Sequence, residues 1–254
     1  MILAIDVGNT NIVLGCIRDG EILDISRIRT SPRATEMEYA IKIKSVLEFH
    51  RRPLDGFEGA IISSVVPPVT EKLARAVKAI TGLESLIVGP GIKTGLNVRI
   101  DDPATLGGDL LVGSVAAMVY YSLPAIIMDL GTANTIMAVD GQGAYRGGAI
   151  LPGVVIGLEA LAAGTSLLPS IAVSAPEKAI GTNTVDAMRS GAVFGTAATL
   201  DGMIDRMEAE LGEKCCLIAT GGLASAIVPH CTHEIICDDD LLLRGLWALY
   251  QKNR

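Results

Sequence analysis

Asp6 and Asp129 lie 123 residues apart, in two segments that nearly copy each other. Ile2-Leu3-Ala4-Ile5-Asp6-Val7-Gly8-Asn9-Thr10-Asn11-Ile12-Val13 aligns without a gap on Ala125-Ile126-Ile127-Met128-Asp129-Leu130-Gly131-Thr132-Ala133-Asn134-Thr135-Ile136. In each, an apolar strand ends in Asp, the chain turns through Gly8 or Gly131, and a second apolar strand starts at Asn11 or Asn134. Such a Gly lets the backbone approach a ligand or take positive φ, and the neighbouring Asn and Thr add donors, so the loop suits a phosphate. The carboxylate beside it repels phosphate and suits instead a metal ion that the phosphate also touches. Asp-x-Gly alone is ordinary turn chemistry. Duplication of the apolar approach, the Asp, the Gly and the Asn together points to two like halves gripping one nucleotide from both sides.

Gly107-Gly108-Asp109 opens a helix and is the second candidate. Its local reading is a plain helix cap. Its functional reading is a base that orients and deprotonates a hydroxyl attacking a γ-phosphate, kept ionised by the helix dipole. A loose phosphoryl-transfer transition state asks for positioning more than early proton removal, so a carboxylate suffices. Thr220-Gly221-Gly222 ends a strand and opens another helix, where paired glycines let a flat adenine or ribose lie on the backbone. A strand-to-helix turn that needs glycine for packing explains it equally well. Gly147-Gly148, ahead of Leu151-Pro152-Gly153, reads as a tight backbone approach near the second hairpin.

Positioning these groups requires strands over 2–6, 11–17 and 21–29 with a turn at Asp19-Gly20. A helix near 35–50, a buried strand 59–64, a helix 70–81 begun after Pro67-Pro68 and a strand 85–88 follow. After a polar stretch to Pro103, a helix over 109–121 leads into strands 125–130, 134–140 and 144–150. Helical segments over 154–164 and 185–211, a strand 216–220, a short helix, a strand 234–237 and a final helix 240–250 complete the chain. Three strands followed by alternating helix and strand thus occur twice, which makes the fold α/β with two like-built halves and a cleft between them. The halves are expected at 1–106 and 107–254.

Half of the residues are hydrophobic and 4% aromatic, so the core is aliphatic. A net charge of −7 disfavours nucleic acid or an anionic membrane as partner, since both need a dense basic face. The uncharged run Leu110–Met128 is broken by Gly113, Ser122 and Pro124 and reads as a buried helix feeding a strand. Met1 runs into the first strand without room for an export signal, and the five cysteines lack CxxC spacing. Both features predict a cytoplasmic protein with reduced thiols. His230, Cys231, His233 and Cys237 match no established zinc spacing.

With both hairpins, the Gly-Gly-Asp helix start and the Thr-Gly-Gly turn in place, the chain resembles the type III pantothenate kinases, within the superfamily of acetate and sugar kinases, heat-shock chaperone ATPases and actin. Further segments carry the resemblance: Gly89-Pro90-Gly91-Ile92-Lys93-Thr94-Gly95, Gly147-Gly148-Ala149-Ile150, Pro152-Gly153 and Gly181-Thr182-Asn183-Thr184. No Walker A sequence is present, in keeping with a hairpin grip on phosphate. The resemblance implies a ribonuclease H-like fold and ATP-dependent phosphorylation of the primary hydroxyl of pantothenate, the entry step to coenzyme A. It implies that Asp6, Val7, Gly8, Asn9, Thr10, Asn11, Ile12, Val13 and Thr132 contact ATP, with Gly221 and Gly222 on the adenosine side and Mg²⁺ at Asp6. It implies Asp109 as proton acceptor, a monovalent cation (K⁺ or NH₄⁺) at Asp129, and an acceptor site over Gly107, Gly108, Asp109, Leu110 and Thr184, with Thr184 reaching pantothenate from the partner subunit of a homodimer. Two positions depart from the family pattern: Leu110 stands where Arg is usual, and Ile100 where Tyr is usual. Both lie on the acceptor side, which leaves a kinase for another small alcohol, or a non-catalytic nucleotide-binding regulator, as alternatives.

Overall fold

The computed structural model describes residues 1–254. The elements run β1 (Ile2–Val7), β2 (Asn11–Arg18), β3 (Glu21–Arg29), α1 (Glu36–Phe49), β4 (Gly59–Ser64), α2 (Pro67–Thr81), β5 (Ser85–Ile87), β6 (Asn97–Val98) and α3 (Gly108–Tyr120). They continue with β7 (Ala125–Leu130), β8 (Ala133–Val139), β9 (Ala144–Pro152), α4 (Val154–Gly164), α5 (Thr184–Ser190), α6 (Thr196–Leu211), β10 (Cys216–Thr220), α7 (Ala224–Ile227), β11 (Ile236–Cys237) and α8 (Leu241–Asn253).

Two compact units result. The first comprises Met1–Gly95, Asp102–Val119 and Asp240–Arg254. Its sheet has the order β3-β2-β1-β4-β5, with β1 antiparallel to β2 and parallel to β4. Alternation along the strands decides which face meets which helices. Leu3, Ile5 and Val7 of β1 and Ala60 and Ile62 of β4 pack with Tyr39, Ile43 and Leu47 of α1 and Leu73 and Val77 of α2. α1 begins at Thr35, whose side chain accepts from the Glu38 N–H while the Glu38 carboxylate accepts from the Thr35 N–H, a reciprocal cap. α2 starts at Pro67 rather than 70, because prolines in a first turn forfeit no helical hydrogen bond. On the other face α8 packs on β1 and β4. There Gly15 leaves room for Leu243, and Gly245 lets α8 approach α3 so closely that a Cβ would lie 2.4 Å from the Val112 carbonyl.

The second unit comprises Leu96–Asp101 and Tyr120–Asp239. Its sheet order is β11-β10-β7-β8-β9-β6, so without β6 it repeats the first unit's arrangement strand for strand. Ile126, Met128 and Leu130 of β7 face α4, α5 and α6 through Val154, Leu158, Met188, Leu200 and Ile204.

Four expectations change. The boundary at 106/107 does not separate the compact units, since α3 through Val119 and the last helix pack with the N-terminal strands while 96–101 joins the second unit. Within the supposed loop before Pro103, β6 pairs parallel with β9. The helical segment 185–211 is interrupted by a π-helical turn over Gly191–Gly195. The strand expected at 234–237 shrinks to 236–237, and just ahead of the expected strand the N–H groups of Thr232 and His233 bind the Asp201 carboxylate, at 2.8 and 3.1 Å.

The two hairpins are also not superimposable residue by residue. Val7 faces Ile12 across the first, whereas Leu130 faces Asn134 across the second, so the second turn is one residue shorter. Strand side chains have a period of two, and such a slip reverses their faces. Asn11 is accordingly exposed while Asn134 is buried.

Candidate active site

The first turn is held by its carbonyls. Thr30 donates its N–H to the Thr10 oxygen at 3.0 Å and its hydroxyl to the Gly8 oxygen at 2.7 Å, while the Gly8 N–H takes the Asn11 oxygen at 2.9 Å. The Gly8, Thr10 and Asn11 oxygens are thus tied to protein, and Asn9 at the exposed turn has no protein partner. Gly8 does not take positive φ, and a Cβ there would meet only the Asn11 carbonyl, at 3.2 Å. Backbone conformation therefore does not demand this glycine, whereas the close approach of the Asn11 carbonyl within the turn favours it. Val7 and Ile12 are buried in the core, so only their backbone can face a ligand at the turn.

Asp6, one residue before the end of β1, is in register with Ser63 of β4, on the sheet face opposite Ile5 and Ile62. On that face α3 begins. A Cβ at Gly108 would stand 3.2 Å from the Ser63 hydroxyl and 3.7 Å from the Ser64 nitrogen, so glycine here brings the helix start down onto the end of β4. The same contacts bring Asp109 to the end of the sheet that carries Asp6. Gly107 leaves space for the Asp109 carboxylate, whose Oδ1 would be 2.7 Å from a Cβ there. Oδ1 accepts from the Leu110 N–H at 2.8 Å. Burial pushes the Asp109 carboxyl up from its ordinary value, against the opposing pull of the Leu110 and Asp109 N–H groups. Desolvation thus outweighs the helix terminus that was expected to keep Asp109 ionised. A carboxylate raised in this way is a better proton acceptor near neutral pH.

In the second unit Asp129, one residue before the end of β7, lies opposite Thr135 of β8 and beside Thr220 of β10. The Thr135 hydroxyl is buried without a hydrogen-bond partner. Gly153 lies against the second turn, where a Cβ would be 2.2 Å from the Thr132 oxygen and 2.6 Å from the Gly131 oxygen. Gly148 is pressed on β8 in the same way, 2.1 Å from the Ile136 oxygen. The Thr-Gly-Gly pair divides into two roles. Gly221 has φ +94° and a Cβ would meet Asp129 Oδ1 at 2.5 Å, which is a packing requirement; Gly222 has nothing within 4 Å. Thr184 opens α5 behind the cap Asn183, whose side chain accepts from Asp186 N–H at 2.9 Å. Thr184 is exposed on the rim of a cavity of about 710 Å³ between α4 and α5, lined by Pro152, Leu158, Leu161 and Met188. Ile100, next to β6, stands 3.8 Å from the Cβ position of Gly147.

Ser63 and Thr135 were not legible as site residues, because a hydroxyl inside an apolar strand has no spacing signal. The His and Cys residues near the C-terminus have other partners: His233 Nε2 pairs with Asp205 at 3.0 Å, and the Cys231 thiol points to the Ala197 and Ile227 carbonyls. No cluster of three or more His, Cys, Asp or Glu side chains occurs. A magnesium ion suits such a chain, since it keeps several waters and is held by one or two carboxylates and the nucleotide phosphates. No helix is long and apolar enough to cross a membrane.

Comparison with known proteins agrees with this arrangement. A curated type III pantothenate kinase from Halalkalibacterium halodurans is 42% identical over 253 residues, covering 100% of both chains. Among solved structures, a protein described as a Baf family transcriptional activator from Campylobacter jejuni matches with TM-score 0.61 and 20% identity over 99% of this chain and 98% of its own. Component A of (R)-2-hydroxyglutaryl-CoA dehydratase from Acidaminococcus fermentans matches with TM-score 0.58 and 16% identity, covering 98% and 96%. At these identities the structures speak to fold, which is that of the sugar kinases and related ribonuclease H-like ATPases. The sequence model of the type III pantothenate kinases matches residues 2–206, and with the full-length relative it shows that this chain belongs to the type III pantothenate kinase family.

Proposed function

We propose that the chain phosphorylates pantothenate with ATP and that Asp109 accepts the proton of the attacking hydroxyl. The observation that carries this assignment is the descent of the α3 start onto Ser63, which brings a desolvated carboxylate to the sheet end that also holds Asp6 and the exposed turn. The segment Asp6–Val13 and Thr132 bind the ATP phosphates, and Gly222, with open space before it, seats the adenosine side beside Gly221. A divalent metal, Mg²⁺ in this reading, is held through Asp6 and neutralises charge on the phosphates. Asp6 fixes the phosphate end and the α3 N-terminus orients Asp109. The Asp109 carboxylate takes the proton as the oxygen–phosphorus bond forms and the bond to the leaving ADP oxygen breaks.

Asp129 holds a monovalent cation, a role supported by the partnerless Thr135 hydroxyl directly across the hairpin, which offers a second oxygen. Leu110 and Ile100 leave pantothenate as the acceptor but meet its carboxylate end without the guanidinium and phenol usual in the family. A homodimer, with Thr184 reaching the partner's pantothenate, belongs to the same reading; on the second unit Ile150, Leu167 and Ile180 are 74%, 90% and 83% exposed, apolar area that a second copy would cover. ATP turnover measured with and without pantothenate, in K⁺ and again in Na⁺, tests the reading. Pantothenate-dependent turnover, faster in K⁺, is expected; turnover indifferent to pantothenate removes the acceptor, and equal rates in both salts remove the cation from Asp129.

A further inference from the structure

Ser63 has no part in the roles assigned above, yet its surroundings are unusual for a serine. It is fully buried, and its hydroxyl has no hydrogen-bond partner. Leaving a buried hydroxyl unmatched is costly, so an unmatched one at a site needs a reason. Three neighbours supply it. Asp6 is its register partner on the adjacent parallel strand and shares its sheet face, at a strand spacing of about 4.8 Å. Gly108, first residue of α3, lets the helix start rest closely on it, since a Cβ there would stand 3.2 Å from the hydroxyl, tighter than an ordinary contact. Asp109 follows directly.

A magnesium ion bound through a single carboxylate keeps several of its waters, and each water has protons that need acceptors. Asp6 can accept some. The Ser63 oxygen, one strand away on the same face and without a partner of its own, can accept another. We propose that Ser63 is a positioning residue for the divalent cation: its buried hydroxyl, beside Asp6 and beneath the start of α3, holds a water of the hydrated metal and fixes the metal against the phosphates. The proposal rests on the assignment of the metal to Asp6 and goes beyond it.

The test reads binding rather than turnover. Affinity for ADP is measured by calorimetry with and without magnesium chloride, for the wild type, Ser63→Ala, Ser63→Cys and Asp6→Asn, alongside ligand-free melting temperatures. The wild type should bind ADP more tightly with magnesium, and Asp6→Asn should lose that gain. Ser63→Ala should lose about three- to tenfold of it with metal-free ADP affinity unchanged, and Ser63→Cys, of like shape but a poor hydrogen-bonding group, should fall between. The ligand-free Ala variant should melt at or above the wild-type temperature, because removing an unmatched buried hydroxyl relieves a cost. That last result separates positioning from structural support. An undiminished magnesium gain in both Ser63 variants overturns the proposal, as does a parallel fall with and without metal. A magnesium gain left intact while the acid limb of the pH–rate profile moves also overturns it, by giving the hydroxyl to Asp109. Should Asp6→Asn keep the full magnesium gain, the Asp6 assignment itself fails, an outcome distinct from failure at Ser63 alone.

Discussion

Substituting Gly221 and Gly222 separately by Ala distinguishes a glycine the fold needs from one a ligand needs. Gly221 has φ +94°, beyond the left-handed well, where an L-residue costs about 1–2 kcal/mol. Its Cβ would also stand 2.5 Å from Asp129 Oδ1, 2.6 Å from the Leu130 nitrogen and 2.7 Å from the Leu130 carbonyl carbon. Two of those atoms are backbone and cannot rotate away, which adds about 1–3 kcal/mol of overpacking. Together Gly221→Ala should destabilise by about 2–5 kcal/mol, or about 5–15 °C in a chain of this size. Gly222 meets nothing within 4 Å and has no positive φ, so Gly222→Ala should leave the melting temperature unchanged or slightly raised.

If the adenosine lies against residue 222, the new methyl meets the ligand. A clash of about 1–2 kcal/mol should then weaken ADP about 5- to 30-fold. Melting curves and ADP calorimetry on the two variants provide the readout. A Gly221→Ala protein that melts with the wild type would refute the steric argument. A Gly222→Ala protein that binds ADP as tightly as the wild type would take the nucleotide off this turn. Weak binding by Gly221→Ala alone would not rescue it, because that variant disturbs Asp129 and the end of β7 first.

Asp109→Asn should cost turnover about 10²–10⁴-fold yet melt above the wild type at neutral pH. The carboxyl is raised by burial, so the folded chain binds its proton more tightly than the unfolded one. Stability is therefore lost as pH rises from the unfolded value, about 3.9, through the raised folded value, and Asn escapes that loss. A variant melting lower at neutral pH would contradict the desolvation argument, as would a kcat profile whose acid limb lies in the ordinary carboxylate range. Leu110→Arg should lower the KM for pantothenate about tenfold or more, the worth of a charge-assisted bond to its carboxylate, with kcat little moved because that carboxylate is remote from the transferred phosphate. Unimproved pantothenate kinetics would show that other residues already meet the carboxylate.

Much of the architecture was legible because it rests on local signals. The alternating strands, the Asp19-Gly20 turn and the helix near 35–50 each depend on residues within a few positions of one another. What stayed hidden depends on contacts across the chain. The membership of α8 in the first unit is set by Gly15 against Leu243, by Gly59 against Tyr250, and by the Asn253 side chain, which bonds both the N–H and the carbonyl of Lys93 at 2.8 and 2.9 Å. No periodicity within 240–254 could announce those partners. The same holds in the site: Asp109 carries a motif, whereas Ser63 gains meaning only from its register with Asp6 and from the approach of Gly108.

The duplicated hairpins show why sequence symmetry should not be taken for chemical symmetry. The gapless repeat predicts equivalent Asn residues in equivalent turns, but the second turn closes one residue earlier, and so Asn11 is exposed while Asn134 is buried with its Oδ1 unmatched. Opposite Asp6 the first hairpin places Val13, an apolar residue; opposite Asp129 the second places Thr135. On the parallel side the two sites match, with Ser63 of β4 beside Asp6 and Thr220 of β10 beside Asp129. Two topologically identical halves thus surround their aspartates with different oxygen sets, the second having a hydroxyl within the hairpin that the first lacks. Phosphoryl transfer has a direction, from a nucleotide to an acceptor, and a site with two interchangeable carboxylates would hold both cations alike. A single-residue difference in turn length is enough to make the two aspartates unequal.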